Sequence, residues 1–396
     1  MNKKAMFYCQ HVLGMGHLIR SAEIVRGLVA SEFDVSFLNG GEIAEGFKLP
    51  ADIELINLPP IKSDAEFREL RAADGEQNLE EIKAARRQRI LVEYERLQPD
   101  VLVIELFPFG RRKFAFELIP LLERIQTDGR RTKVVCSLRD ILVSKRDQER
   151  FDDQVCLTMN RYFDLLLVHS DPQFQRLEET FPRATEIKCP IRYTGFVVQQ
   201  SETFALAEAE AADRFRILAS IGGGRVGCEL LEASIAASGL IANRHPHRLQ
   251  IFTGPYLPTE EFNRLQQLAA GKPHINVERF TPNFLEHLHR ANLSISMAGY
   301  NTCMNLLTTG TPALVLPFNG NNNEEQTIRA NKLEQLGVVN VLRDGELVPT
   351  TLAEKILSVG KQTNSTKPKL DLSGAAKTAE LIKQLFPKAQ ASGVGR

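Results

Sequence analysis

The sequence predicts an α/β protein with two Rossmann-like domains that face each other across a cleft. Its 396 residues are about twice the length of an ordinary domain. Short apolar segments typical of buried strands alternate along the chain with segments of helical apolar spacing. In addition, a strand, a glycine turn and a helix follow one another near the start of each half, at 5–29 and 216–238.

An Ala/Glu-rich segment with few large apolar residues marks the expected boundary between the domains. Near the end of the chain, a polar, loop-like stretch precedes a helical pattern. We therefore expect an N-terminal domain at 1–198, a linker at 199–213, a C-terminal domain at 214–372, and a terminal helix with a tail at 373–396.

Composition excludes several classes of protein. Lys and Arg together number 49, as do Asp and Glu, so no net field attracts nucleic acid or an anionic membrane. The six cysteines show no CxxC spacing, which suits reduced thiols in a cytoplasm. There is no N-terminal signal region and no apolar run of about 18 residues. We expect a cytoplasmic protein without a transmembrane span and without a nucleic-acid partner; nothing in the sequence indicates an oligomeric state.

The first strand leads into a glycine loop, Gly14–Gly16, and His17 stands where that loop meets a helix. The loop is not a dinucleotide motif, because its third glycine is missing and the second strand leads into Asn39–Gly41 instead of an acidic residue. A helix N-terminus disfavours a nearby cation, so the imidazole should stay neutral, as a general base requires. The alternative is a histidine that only caps the helix or bonds a loop carbonyl.

Three further strand ends bring polar residues to the same edge of the predicted N-terminal sheet. Glu105 follows one strand, Arg139 and Asp140 follow the next, and His169 follows the one after. Arg139 and Asp140 either face the cleft or pair only with each other. His169 and Asp171 could mimic a catalytic pair, but Pro172 stops the strand, so we expect Asp171 or the serine before it to cap a following helix. Glu105, Asp140 and His169 are the alternative bases if the histidine of the glycine loop is only a cap.

Two charged stretches of this half have simple structural interpretations. Residues 62–98 carry apolar residues at helical spacing and predict one or two solvated helices. Arg111–Lys113 precede and interleave with Phe114 and Phe116. This pattern either binds an acceptor phosphate, a nucleic acid or a membrane surface, or begins a helix that packs its phenylalanines inward, which we favour.

A second candidate site lies in the C-terminal half. Leu293–Met297 reads as a buried strand, the backbone turns at Ala298–Tyr300, and Asn301 or Thr302 can cap a helix that Gly310 ends. Free N–H groups and the helix dipole form an anion site at such a turn. The alternative is that any strand–helix–strand unit has a glycine turn.

Gly222–Gly224 form another glycine loop before a helix, where backbone N–H groups can approach a diphosphate. The loop lacks the GK[ST] ending of a P-loop, and the alternative is a flexible turn. Arg225 is a candidate partner for a phosphate. No DxD occurs, and His287 and His289 lie two apart on a predicted helix, so we expect no metal site.

These features resemble the donor-binding half of GT-B glycosyltransferases, in particular the group related to the peptidoglycan N-acetylglucosaminyltransferase that makes lipid II. Two segments resemble a bacterial branch of predicted glycosyltransferases within that group, and the first loop also resembles related UDP-sugar hydrolases. The motifs that carry the resemblance are Gly299-x-x-Thr302, Gly310-x-Pro312, Pro317, Gln326, the GxGHxxR string at 14–20, and the segments Ser296–Thr302 and Glu324–Ala330.

The resemblance implies roles for the matching residues. His17 lies at the reaction centre, and the terminal helix crosses back onto the N-terminal domain. The implied acceptor and phosphate loop contains Gly14, Gly16, Arg20 and Glu105. The implied donor-binding residues are Gly222, Gly223, Gly224, Arg225, Phe280, Thr281, Met297, Gly299, Thr302, Asn305, Glu324, Glu325 and Gln326. Asn305 stands where the peptidoglycan enzyme has a glutamate that accepts from both ribose hydroxyls, so the ribose signature is weakened.

The favoured reaction is hexosyl transfer from a nucleotide-sugar, with UDP preferred, to a hydroxyl of a small-molecule, glycan or lipid-linked acceptor. His17 would deprotonate that hydroxyl while glycine loops stabilise the leaving diphosphate, without metal and with inversion. The nucleotide-sugar is a co-substrate, and we expect no other cofactor. The alternatives are a nucleotide-sugar hydrolase in which His17 acts on water, and a nucleotide-sugar-binding protein without catalysis.

Overall fold

The computed structural model describes residues 2–11, 16–43, 47–63, 69–72, 78–129, 132–143, 145, 147–200, 215–320, 324–360 and 369–386. Within these residues the chain forms two separate parallel sheets covered by helices, which confirms the predicted α/β class. Almost all of the predicted linker at 199–213 lies outside the described residues, as does the tail after 386.

The N-terminal sheet is built from strands with nearly continuous apolar sequence, as expected when helices cover both faces. The elements of this half are β1 (Lys3–Cys9), α1 (Gly16–Ala30), β2 (Phe33–Asn39), β3 (Ile53–Asn57), β4 (Ile61–Ser63), β5 (Leu70–Ala72), α2 (Leu79–Leu97), β6 (Val101–Glu105), α3 (Ala115–Thr127), β7 (Lys133–Arg139), α4 (Gln148–Tyr162), β8 (Leu165–His169) and β9 (Ile191–Tyr193). Seven strands pair in parallel in the order β3-β2-β1-β6-β7-β8-β9.

The C-terminal sheet repeats this plan with six parallel strands. Its elements are β10 (Phe215–Ser220), α5 (Cys228–Ile241), β11 (His247–Phe252), α6 (Thr259–Ala269), β12 (Ile275–Glu278), α7 (Phe284–His289), β13 (Leu293–Met297), α8 (Tyr300–Thr309), β14 (Ala313–Leu316), α9 (Glu325–Gln335), β15 (Asn340–Val341), α10 (Pro349–Val359) and α11 (Gly374–Lys383). The strand order is β12-β11-β10-β13-β14-β15.

Strand order decides where a ligand can bind. The direction of winding reverses between β1 and β6 in the first sheet and between β10 and β13 in the second. Ligands of open α/β sheets bind in the crevice beyond the carboxyl ends of the strands at such a switch point. The loops after these four strands therefore include the predicted first loop, Glu105, the Gly222–Gly224 loop and the Gly299 turn.

The last helix lies on the first domain. Ala379 and Ile382 of α11 are buried in the same apolar cluster as Leu28 of α1. A Cβ on Gly27 would lie 2.5 Å from the Ala375 carbonyl oxygen, so the two helices touch where no side chain fits. At the crossing, Phe196 N donates to Asp371 O at 2.7 Å. No helix in the described part of the chain is long and apolar enough to cross a membrane.

Three local predictions are wrong. Residues 61–72 contain the antiparallel pair β4–β5, so the helical prediction for 62–98 holds only over α2. Asp171 does not cap a helix, because its Oδ1 accepts from Gln173 N at 2.8 Å in a turn. Helix α8 begins one residue after Gly299, and neither Asn301 nor Thr302 caps it. By contrast, Phe114 is buried and begins the core face of α3, as favoured for the basic–aromatic stretch.

Candidate active site

The histidine of the first loop pairs with a buried glutamate from a neighbouring strand. His17 lies in the first turn of α1, and its Nδ1 is 2.7 Å from Glu105 Oε1 at the end of β6. Arg20, one turn along α1, donates through Nη2 to the same oxygen. Glu105 is fully buried, whereas the His17 side chain is 20% exposed. The imidazole therefore lies between a buried carboxylate and the solvent.

The protonation state of this pair follows from its surroundings. Burial lowers the pKa of His17 to about 4, although the charge of Glu105 opposes the effect. Burial disfavours ionised Glu105, but its contacts with His17 and Arg20 and the charge of Arg111 lower its pKa to about 2. Near neutral pH, a neutral imidazole therefore donates from Nδ1 to the Glu105 carboxylate. Nε2 is left with the lone pair that can take a proton.

The other predicted residues of the first loop behave differently. Arg20 is 2% exposed, it bonds Glu105, and its Cζ lies 5.2 Å from the centre of the Tyr300 ring, so its contact with a phosphate stays a prediction. The Gly16 carbonyl accepts from Asn301 Nδ2 at 3.2 Å, across the cleft. Gly14 lies outside the described residues.

Two of the alternative bases are occupied by other contacts. Buried His169 has Ser137 Oγ 2.7 Å from Nε2 and Thr194 Oγ1 2.9 Å from Nδ1. Burial lowers the pKa of His169 to about 3. Asp140 accepts two N–H groups of Arg329, each at 2.8 Å. These contacts favour His17 as the base.

The backbone of the glycine loop after β10 packs against the backbone of the loop that follows β11. Tyr256 N donates to Gly223 O at 3.0 Å. Gly224 has φ 90°, and a Cβ there would lie 2.5 Å from Thr253 O, so only glycine fits this approach. A Cβ on Gly222, by contrast, would have no described atom within 4 Å. The loop therefore packs closely against its neighbour at Gly223 and Gly224 and has free space beside Gly222.

The turn before α8 is an uncapped helix start. Gly299 is its N-cap residue, with φ −65° and ψ 154°, and no side chain in the described part of the chain bonds to the first turn. A Cβ on Gly299 would also point into space that is free of described atoms within 4 Å. The first N–H groups of a helix have no intrahelical partners. Those of Tyr300, Asn301 and Thr302 are therefore available to an anion.

Two predicted donor residues are buried. Met297 is 6% exposed and packs beneath the glycine loop, since a Cβ on Gly227 would lie 2.8 Å from its Sδ. Met297 therefore lies in the core of the C-terminal domain, and its contact with a donor stays a prediction. Asn305 is 3% exposed and donates from Nδ2 to Gln199 Oε1 at 3.1 Å. Its Oδ1 has no partner among the described residues, so its contact with a ribose stays a prediction.

The remaining predicted donor residues follow the carboxyl ends of β10, β12 and β14. Arg225 is exposed, with its Cζ 5.3 Å from the Tyr256 ring centre. Phe280 is half-buried, and Thr281 Oγ1 accepts from Asn283 N at 3.2 Å. Gln326 Oε1 accepts from Phe318 N at 3.1 Å, and exposed Glu324 precedes α9. Roles for these residues in donor binding stay predictions.

A buried ion cluster joins the two domains beside this site. Glu325 Oε2 lies 2.5 Å from Arg139 Nη2, and Glu325 Oε1 lies 2.6 Å from Arg329 Nη2. Arg329 also holds Asp140 of the N-terminal domain, and both are fully buried. Glu325 is therefore an interdomain contact, and its role in donor binding stays a prediction. Arg329 was not predicted from the sequence. It could have been found from its position four residues after Glu325, on the same face of one helix.

No group of three or more His, Cys, Asp or Glu side chains within the described ranges could hold a metal ion. Activity without metal is a separate question and stays a prediction.

Comparisons with known proteins give the class of the C-terminal half. Residues 219–385 match the model of the glycosyltransferase family 28 C-terminal domain. A Brucella anthropi protein, UDP-N-acetylglucosamine--N-acetylmuramyl-(pentapeptide) pyrophosphoryl-undecaprenol N-acetylglucosamine transferase, is 30% identical over 146 residues. This match covers 37% of the chain and 38% of that protein. The matches cover between 24% and 51% of the length of the first three such relatives.

Solved structures extend the likeness to the whole chain. The glycotransferase of kitacinnamycin has a TM-score of 0.61 at 15% identity and covers 98% of this chain and 99% of its own. Acinetobacter baumannii MurG has a TM-score of 0.58 at 16% identity, with 96% and 99% covered. The fold is therefore that of GT-B glycosyltransferases. The C-terminal half is similar to the family 28 domain, and MurG is among the solved structures that share the fold.

Proposed function

We propose that this protein transfers a sugar from a nucleotide-sugar to an acceptor hydroxyl. The observation that carries the proposal is the junction of two helix starts, where Asn301 of α8 bonds the Gly16 carbonyl of α1 at 3.2 Å. One start carries neutral His17, paired with Glu105. The other is the uncapped turn at Gly299. A base and an anion site thus lie side by side, which sugar transfer from a diphosphate requires.

The chemistry follows from these positions. His17 Nε2 takes the proton of the acceptor hydroxyl as that oxygen bonds to the anomeric carbon. The bond from this carbon to the donor diphosphate breaks, and the diphosphate leaves with the electron pair. Glu105 stabilises the imidazolium that forms, and the N–H groups of the α8 start stabilise the leaving charge. Direct displacement of this kind inverts the anomeric centre, and no metal takes part.

The donor we propose is a UDP-sugar. Support comes from the family 28 match over the C-terminal domain and from the UDP-N-acetylglucosamine in the name of the Brucella relative. The diphosphate would lie between the Gly222–Gly224 loop and the Gly299 turn, because both are open at their ligand side. The acceptor would be a small molecule, a glycan or a lipid-linked glycan bound on the side of the N-terminal domain.

Donor binding can be tested by thermal shift with UDP-, TDP- and GDP-sugars. A ligand at about a hundred times its dissociation constant adds about 2.7 kcal/mol of stability. Gly299→Val should abolish this shift and leave the unliganded melting temperature nearly unchanged, because valine tolerates the backbone angles at Gly299 and its side chain enters open space. Gly239→Val, at an exposed position of α5, is the matched control and should keep the shift. No shift in the wild type with any donor at millimolar concentration would contradict the proposal.

A further inference from the structure

Tyr300 contacts both domains from the first position of α8. It is 7% exposed, and two guanidinium groups lie close to its ring. Arg20 Cζ is 5.2 Å from the ring centre, and Arg329 Cζ is 5.3 Å from it. The Tyr300 hydroxyl accepts from Val197 N at 3.4 Å. The side chain thus contacts α1, α9 and the segment after β9.

We propose that Tyr300 is a positioning residue that couples the donor turn at Gly299 to the His17–Glu105 pair. The inference rests on the proposed function. The backbone N–H of Tyr300 belongs to the uncapped turn, and its side chain packs on Arg20. Arg20 in turn bonds the oxygen of Glu105 that also pairs with His17. One residue therefore joins the two halves of the reaction by direct contacts.

The two arginines beside the ring do not depend on it equally. Arg329 keeps Asp140 and Glu325 as partners whatever occupies position 300. For Arg20, the described residues provide Glu105 as the carboxylate partner, while its Nε has no partner among them. The face of the Tyr300 ring attracts the Arg20 guanidinium and fixes its position beside Glu105. Loss of the ring should therefore let the Arg20 guanidinium shift while it stays paired with Glu105, and should leave the ion cluster of Arg329 intact.

A shift of Arg20 should change how His17 titrates. Burial is the main cause of the low pKa of His17, and the charge of Arg20 lowers it further. If Arg20 moves away, the Glu105 carboxylate acts on the imidazole without that opposition, and water gains access. Both changes raise the pKa of His17 toward its ordinary value.

The test compares Tyr300→Met, which fills the space without an aromatic face, with Tyr300→Phe, which keeps the ring. Tyr94→Met is the matched control, because Tyr94 is fully buried in the N-terminal domain that carries His17, and its hydroxyl bonds Asp128 and Thr132. The His17 resonance is titrated by NMR in each full-length variant, and kcat/KM is measured against pH. The pKa of His17 in Tyr300→Met should rise from about 4 toward its ordinary value, so kcat/KM at pH 5 should fall by at least about twofold relative to its value at pH 8. Tyr94→Met should keep the wild-type profile, and Tyr300→Phe, which keeps the ring, should keep the wild-type titration of His17.

The outcomes separate this inference from the proposed function. An unchanged His17 titration in Tyr300→Met, or an equal change in Tyr94→Met, would overturn the coupling even if the wild type transfers sugar. A wild type without turnover would overturn the proposed function, while the NMR titration would still decide whether Tyr300 positions the pair. If Tyr300→Met does not fold, Tyr300→Leu is the second variant, because leucine also removes the aromatic face beside Arg20. It should raise the His17 pKa, and an unchanged titration would overturn the inference.

Discussion

Glu105→Gln tests the role of the buried carboxylate most sharply. The substitution keeps the size of the side chain and an oxygen that can accept from His17 Nδ1, but it removes the negative charge. His17 then lacks the group that stabilises its protonated form. Arg20, which is 2% exposed, loses its carboxylate partner. The variant should therefore affect both turnover and stability, in amounts that the contacts predict.

The expected loss of stability is about 3 to 5 kcal/mol, the usual cost of leaving one member of a buried ion pair without its partner. At neutral pH, the free energy of unfolding of the variant should be lower than that of the wild type by this full amount. This difference should fade as pH falls from the ordinary carboxyl range toward about 2, because the Glu105 pKa is lowered to that value in the folded protein. Turnover should fall by on the order of a hundred- to ten-thousand-fold. Donor affinity should change little, because the donor site lies on the other domain.

The assay combines urea unfolding, UDP binding and steady-state turnover. Glu117→Gln is the matched control, because Glu117 is also fully buried and ion-paired, with Arg86 Nη2 at 2.6 Å. It should lose similar stability and keep most of its turnover under conditions where it is folded. Equal losses of turnover in the two variants would refute the reasoning, since the effect would then come from stability alone.

Three further predictions concern the same site. His17→Gln should keep UDP affinity and lose turnover, and the wild-type kcat/KM should hold down to about pH 4, because burial lowers the pKa of His17 to that value; near-normal turnover in the variant would make His17 a structural cap. Activity should survive excess EDTA, and loss that magnesium or manganese restores would disprove metal independence. Asn305→Glu should raise the ratio of UDP to deoxy-UDP affinity, because hydrogen bonds to a charged group contribute about 1.5–3 kcal/mol against about 1 for neutral ones; an unchanged ratio would place Asn305 away from the ribose.

Local patterns in the sequence are sufficient to predict much of the fold. Buried parallel strands are short apolar runs, so β1, β6 and β13 are visible as such. Glycine turns at strand ends also depend on neighbouring residues only. The sequence alone therefore places His17 and the Gly299 turn beyond the carboxyl ends of strands, where both lie in the fold.

Contacts between distant segments cannot be predicted in this way. The bond from Arg20 to Glu105 spans two elements, and the contact of Arg139 with Glu325 spans two domains. Nothing in the sequence around Tyr300 indicates that two arginines lie close to its ring. The β4–β5 pair escapes prediction for another reason: its charged, short strands share their composition with the helix that follows.

The central claim is sugar transfer driven by His17, and one measurement tests it directly. The whole protein is incubated with UDP-N-acetylglucosamine carrying ¹³C in the sugar, in parallel with TDP- and GDP-sugars, and with a mixture of alcohols, glycans and polyprenyl-linked glycans as acceptors. Mass spectrometry and NMR then follow the label. We expect a labelled glycoside of inverted anomeric configuration with the wild type and none with His17→Gln. Label found only as free sugar, or an equal yield of glycoside from His17→Gln, would contradict the claim.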